Sequence, residues 1–336
     1  MVVVLGGYLA AHLYRMRLRY FLIIALVLPI LATAQNIIDS RTANVLPLWK
    51  KGDRFAYKVT KTERHFNKGT LQELTSSSFH LTFTVKDTTG GLRIDQRMGD
   101  FKLLEHTKEE PMTKEEQAMA ERMLAMYSAV PVIFTCSRDG SVEALENTEA
   151  VVSGTKSFLG EVMGTIPDAD TRSLMTTMMD QLITPEAIST SALEYAQNLH
   201  MLHGGGYTVA ERMSQDIELP NLLGGDPIPG KLTVVMNSLD PTSKRAIFTI
   251  TMQVDNVKLQ TLVKDLVAKF AAAAGKKLDA KTEREMSDAF RNMKMTDTYN
   301  ITMDLGGANV TQMSYKREVS VGPTRQLTMQ EYQLLP

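Results

Sequence analysis

FHLTFTVK, residues 79–86, decides the fold. Phe79, Leu81, Phe83 and Val85 occupy every second position, with His80, Thr82, Thr84 and Lys86 between them. Successive side chains of an extended chain point to opposite faces, so this run predicts a strand with one apolar and one wet face. The pattern continues on both sides. Upstream, DRFAYKVTKTE (53–63) places Phe55, Tyr57 and Val59 on one face, with Arg54, Lys58 and Lys61 outside that set, and Asn67-Lys68-Gly69 supplies a turn between the two strands. Downstream, Thr88-Thr89-Gly90-Gly91 turns the chain into Leu92 and Ile94. One-faced alternation with short turns is the signature of an antiparallel meander.

Helical spacing interrupts this meander in three places. Thr113 opens the first helix, with Glu116 completing a capping box and Met119, Met123 and Met126 forming its stripe (about 113–128). PVIFTCSRDGSVEALEN returns to strand, with Asp139-Gly140 as a hairpin turn. The second block covers 148–202. Its best-marked helix runs from Asp168 to Ile183, with Leu174, Met175, Met178, Met179 and Leu182 on one side. Thr184-Pro185 starts the next helix, with proline at the first helical position, and Gly204-Gly205-Gly206 ends the block. Alternation then resumes, with Tyr207, Val209, Met213, Ile217 and Leu219 opposed to Thr208, Arg212, Ser214, Asp216 and Glu218. Residues 220–230, PNLLGGDPIPG, read as a turn-rich crossing. A hairpin about Leu239–Thr242 joins Leu232, Val234 and Met236 to Phe248, Ile250, Met252 and Val254. The third block, 256–293, reads as a helical hairpin broken at Gly275, with Asp279 as cap of its second helix. Three strands through Tyr299, Met313 and Leu327 close the chain.

The expected fold is therefore α+β: a curved, mostly antiparallel, half-barrel-like sheet of about ten strands, with amphipathic helices packed on its apolar face. One domain is expected over 51–336, preceded by an extended arm at 35–50 and a leader at 1–34. In the leader, Arg15, Arg17 and Arg19 form a basic region and Tyr20–Leu31 an apolar core of about a dozen residues, shorter than the roughly 20 of a membrane-spanning helix. Ala32-Thr33-Ala34 offers small residues for cleavage between Ala34 and Gln35. Met16 would begin a compact leader of its own, so translation from Met1 and from Met16 both stay open. This leader predicts a secreted or periplasmic protein with no stable membrane span after cleavage.

The chain carries 37 basic and 38 acidic residues. Loss of the three leader arginines leaves 34 against 38, a mildly acidic balance that gives no pull on phosphate backbones and excludes nucleic acid as the expected partner. The single cysteine, Cys136, precludes an internal disulfide, and its apolar neighbours Val130–Thr135 suggest a buried small hydrophobe.

PNLLGGDPIPG, together with LWKKGDRFAYKV (48–59) and IFTCSRDGSVEALEN (133–147), resembles a group of uncharacterised secreted bacterial proteins. That resemblance covers most of the mature chain and implies no activity and no site residues. At the level of fold alone, a curved sheet holding helices resembles the periplasmic lipoprotein-carrier (LolA/LolB-like) architecture.

Candidate chemistry is sparse. His200 and His203 share a helix face but lack a zincin's glutamate and spacing, and their place at a helix end before three glycines suits a cap-like role at the C-terminal dipole. Gly204–Gly206 leads into a strand, whereas phosphate loops lead into a helix N-terminus. Ser153-Gly-Thr-Lys156 matches S-x-x-K without its companion motifs. Glu109-Glu110 and Glu115-Glu116 fit a solvated helix start. No catalytic residue, metal or cofactor is expected. The twenty-one methionines are the unusual feature. Met163, Met175, Met178, Met179 and Met201 gather in the central helical block, where flexible thioethers suit an adaptable apolar cleft. The expected function is non-enzymatic binding of a hydrophobic ligand, a lipid or acyl chain, between sheet and Met-rich helices. The alternative is an envelope protein–protein interaction module working through the polar sheet face or an edge, with an unrecognised hydrolase a more distant third.

Overall fold

The structure is a computed structural model. It describes residues 36–107, 128–166, 184–219, 227–273 and 290–336, with isolated positions within 168–176 and 284–288. The helix expected at 113–128, the leader, the helix at 168–183 and Asp279 lie wholly or largely outside the described residues.

Strand-forming alternation produces very long hairpins. β2 (Arg54–Asn67), β3 (Thr70–Asp87) and β4 (Leu92–Thr107) follow one another, with short β5 (Val132–Cys136) and β6 (Val142–Leu145) after them. Lys68 and Gly69 both adopt positive φ, 49° and 81°, at the β2–β3 turn. That is the turn whose twist matches two antiparallel strands. The second meander comprises β8 (Arg212–Leu219), β9 (Ile228–Asp240), β10 (Arg245–Val254), β11 (Lys294–Asp304), β12 (Asn309–Val321) and β13 (Thr324–Leu334). β2 and β13 pair antiparallel, with Val59 opposite Tyr332, and this fuses both meanders into one sheet. Its order is β6-β5-β4-β3-β2-β13-β12-β11-β10-β9-β8. The sheet is curved and does not close. Register shifts at His65/Phe66, Ser76/Ser77, Ile247/Phe248 and Thr302/Met303 insert the bulges that bend long strands.

Among the described residues the large sheet thus has eleven strands against the roughly ten expected, and two further strands lie outside it. β1 (Thr42–Asn44) pairs with β7 (Gly206–Thr208) in a separate two-stranded sheet. The strand expected to run on from Tyr207 to Leu219 is split there. Ala210 takes a left-handed conformation (φ 63°) and gives its N–H to the Met236 carbonyl at 2.8 Å. The chain turns, and the alternation restarts in β8. Likewise Pro229 and Gly230, expected in a turn, belong to β9 opposite Glu218 and Ile217.

Three helices are described: α1 (Thr148–Gly164), α2 (Pro185–His200) and α3 (Asn256–Ala273). Thr184 caps α2 by accepting the Ala187 N–H at 3.1 Å, ahead of Pro185 at the first turn. Asp255 caps α3 through the N–H groups of Val257 and Lys258. None of the described helices is long and apolar enough to cross a membrane.

Asn36–Pro336 forms one compact unit. Its main cluster joins Tyr57, Val59, Phe79, Leu81, Phe83, Phe134, Phe248, Ile301, Met313 and Tyr332 from the sheet to Leu193, Ala196 and Leu199 of α2. Tyr195 of α2 meets Phe79 at 5.5 Å and Tyr332 at 6.4 Å between ring centres. Each fully buried Phe, such as Phe134 or Phe248, contributes roughly 2–3 kcal/mol of transfer free energy. A smaller cluster of Val254, Leu259 and Met293, flanked by Val263, Phe290 and Val319, anchors α3. The extended arm contributes to the core: Ala43 and Val45 are fully buried.

Candidate functional site

Where α2 ends, the arm, the Asp139-Gly140 turn and the β11–β12 turn converge on three rings. Trp49, the only tryptophan, lies 5.1 Å from His200 and 5.3 Å from His203, and the two imidazoles are 4.9 Å apart. His200 Nδ1 donates to the Gly140 carbonyl at 2.9 Å. His203 Nε2 donates to the Ala308 carbonyl at 2.9 Å. Both imidazoles therefore act as struts between α2 and two sheet turns. Burial of His200, and then the proximity of His203, push its pKa down to about 3. Burial likewise pushes His203 down to about 4, against the opposing pull of its carbonyl contacts and Asp139. Both rings are neutral at physiological pH, which corrects the cap-like role: an uncharged imidazole gains little from a helix dipole.

His200 Nδ1 and His203 Nε2 are engaged with carbonyls, and His203 Nδ1 is buried without a hydrogen-bond partner. Cys136 Sγ lies 3.7 Å from His200 Nδ1. Burial pushes that thiol far up, away from thiolate chemistry. Among the described residues no group of three or more His, Cys, Asp or Glu is arranged to hold a metal ion. The space left among Trp49, Phe55, Phe83, His200 and His203 is about 10 Å³, the size of a single water and far below a ligand pocket. Beneath the end of α2 the core is filled.

The glycine run has a packing reason. Val45 exchanges backbone hydrogen bonds with Gly204 and Gly205 at 2.9 Å each, and a Cβ on Gly205 would fall 2.3 Å from the Tyr207 hydroxyl. A Cβ on Gly204 would fall 2.9 Å from the Asp139 carboxylate, and one on Gly206 would fall 3.0 Å from Asn44 of the arm.

Further along the helical side lies a polar and aromatic band. Asp297, 1% exposed, accepts two hydrogen bonds from Arg317 at 2.9 and 2.8 Å. The Arg317 guanidinium sits 5.7 Å from the Tyr315 ring centre, and Tyr315 stacks on Tyr299 at 4.7 Å. The Tyr299 hydroxyl donates to Asn198 of α2 at 3.4 Å. Strand register sets this band on the same face as the core: Val59, Tyr332, Met313 and Ile301 form one row, and Glu63, Thr328, Arg317 and Asp297 form the row four residues along.

Of the methionines singled out in the sequence, Met163 is buried on α1 and Met201 packs partly buried against the main cluster. Met175, Met178 and Met179 lie outside the described residues, as do Ala34 and Gln35. α1 differs from α2 in its packing. Val151 and Met163 are buried, while Val152, Phe158, Leu159 and Val162 are only partly buried. Ser153 and Lys156 of the S-x-x-K match are exposed on the same helix.

The opposite face of the sheet carries a groove of about 480 Å³ lined by Lys58, Thr60, Asn300, Gln312, Ser314 and Glu331 among others. Asn237, Thr249, Asn300 and Ser314 form a hydrogen-bonded ladder across four strands there. Sequence alternation marks this face as wet but gives no sign of a groove. Trp49 and Asn36 were also missed as organisers. The buried Asn36 amide donates to the Leu46 and Leu305 carbonyls and accepts the Leu46 N–H. Being the lone tryptophan was the one signal that could have drawn attention to Trp49. No family model and no curated protein matches this chain.

Proposed function

We propose that this chain is a secreted or periplasmic, non-enzymatic protein that holds a hydrophobic ligand, a lipid or acyl chain, on the helical side of a half-barrel-like sheet. The single observation carrying this reading is the contrast between α1 and α2. The C-terminal end of α2 is packed to the point of leaving room for one water, whereas α1 keeps apolar side chains partly accessible. Along α1, Phe158, Leu159 and Val162 keep part of their apolar surface accessible beside buried Met163. An apolar stripe kept half-covered favours an exchangeable apolar partner, because about 25 cal/mol is gained per Å² withdrawn from water. An open sheet supports ligand entry from the side, since its helices are not locked inside a closed barrel.

The test is a fluorescent fatty-acid displacement assay on the exported protein, with Phe158→Ser and Leu159→Ser as variants. Saturable binding weakened by these surface changes supports the reading, and probe uptake that is absent or unaltered contradicts it.

The 480 Å³ groove on the wet face favours a second reading, an envelope interaction module, because amides and hydroxyls flanked by Lys58 and Glu331 suit a polar protein partner. Crosslinking in intact cells from Gln312 and Ser314 would distinguish it, with a discrete protein adduct expected.

A further inference from the structure

We propose that two copies of this chain pair antiparallel through β8, about a two-fold axis at Gln215, extending one sheet into the next. Among the described residues β8 is an edge of the eleven-strand sheet and pairs with β9 alone. The other edge, β6, has four residues; β8 has eight. Sheet edges are normally blunted by charged side chains, lysine above all, by proline or by a bulge, and the three charges of β8, Arg212, Asp216 and Glu218, are of mixed sign. β8, RMSQDIEL, has no lysine or proline, and its register with β9 is unbroken from Arg212 to Leu219. Arg212 to Asp216 are all exposed, and Met213 is 36% exposed.

The residues of this strand are complementary to themselves in one register. With Gln215 opposite its own copy, Arg212 faces Glu218, Met213 faces Ile217 and Ser214 faces Asp216, each twice by symmetry. Opposite charges and apolar pairs thus meet together across the seam. Neighbouring registers are worse. Centring on Asp216 sets two aspartates against each other, and centring between Gln215 and Asp216 sets Met213 against Glu218. Centring on Ser214 opposes Arg212 to Asp216 but pairs only five residues of β8. Asp216 also stands opposite Lys231 on β9, which offsets the acidic excess of the strand. The occupant this edge fits is therefore a second copy of β8.

Sedimentation velocity of the exported protein over a concentration series tests the pairing, with a reversible monomer–dimer equilibrium expected. Arg212→Glu opposes like charges at both ends of the seam and should weaken the dimer by about tenfold or more. Adding Glu218→Arg should restore it. Independently, Gln215→Cys should form an intermolecular disulfide on mild oxidation, whereas Ser214→Cys should not, because Cys136 is buried and only residue 215 meets itself. A monomer at all concentrations, an association indifferent to Arg212→Glu and not rescued by the double change, or equal crosslinking at 214 and 215 overturns the proposal.

Discussion

Lowering the pH from 7.5 to 4.5 should act on His200 and His203 before most carboxylates respond. Both imidazoles are buried and neutral, with pKa values lowered to about 3 and about 4. In the unfolded chain each titrates near 6.5. Above pH 6.5 neither state binds the proton, and the stability these rings support is fully present. As pH falls below 6.5 the unfolded chain takes up protons that the folded chain refuses. Each ring then costs up to about 1.4 kcal/mol per pH unit until its folded value is reached. Between pH 6.5 and 4.5 the pair removes about 3–5 kcal/mol, a large share of an ordinary folding free energy. Urea unfolding at half-unit pH intervals measures the slope. The control is His200→Asn with His203→Gln, which retains an amide donor near each carbonyl and removes titration. That variant should be less stable at pH 7.5 by about 1–3 kcal/mol through altered packing. Its stability should nevertheless fall less steeply between pH 6.5 and 4.5. Asp87, Asp240 and Glu318, held low by hydrogen bonds, lose their stabilising effect mainly at more acidic pH, so they leave this window largely unaltered. A double variant with the same slope as the parent refutes the reasoning.

Truncating Phe248 to alanine in the fully buried sheet layer should cost about 3–5 kcal/mol in urea unfolding, since the surrounding strands cannot collapse onto the cavity. Asp297→Ala removes the buried half of a bidentate pair whose arginine is 37% exposed, so about 2–3 kcal/mol is expected, below the cost for a wholly buried pair. Gly140→Ala combines a φ of 90° with a Cβ placed 2.9 Å from His203 and Pro47, and should lower Tm measurably with a loss of at least about 1 kcal/mol. Phe158→Ser, at a partly buried ring, should cost about 1–2 kcal/mol in stability while reducing fatty-acid probe binding severalfold.

The period-two signal in FHLTFTVK and DRFAYKVTKTE was legible because side-chain direction in a strand is a local property. The Asn67–Gly69 turn and the Thr184-Pro185 start of α2 were legible for the same reason, each set by adjacent residues. Strand length was not. β3 begins at Thr70, and its TLQELTSSS stretch carries no alternation because polar side chains there are stabilised by cross-strand partners such as Thr62 on Ser76. The β2–β13 pairing joins residues far apart in the chain, and no local pattern encodes it. The break at Ala210 also escaped notice, since alanine rarely adopts positive φ and tertiary contacts impose it here. At the site, the spacing of His200 and His203 correctly put them side by side. Their neutral state depends on burial beneath Trp49 and on carbonyls from distant turns, which only the assembled fold supplies.

The most direct measurement of the ligand-binding account is native mass spectrometry of the protein after gentle purification, followed by organic extraction of the same sample. The account predicts a species heavier than the polypeptide by the mass of a lipid or fatty acid, lost on extraction and regained on adding fatty acid back. A bare polypeptide mass before extraction, with no uptake of added acyl chains, would contradict it.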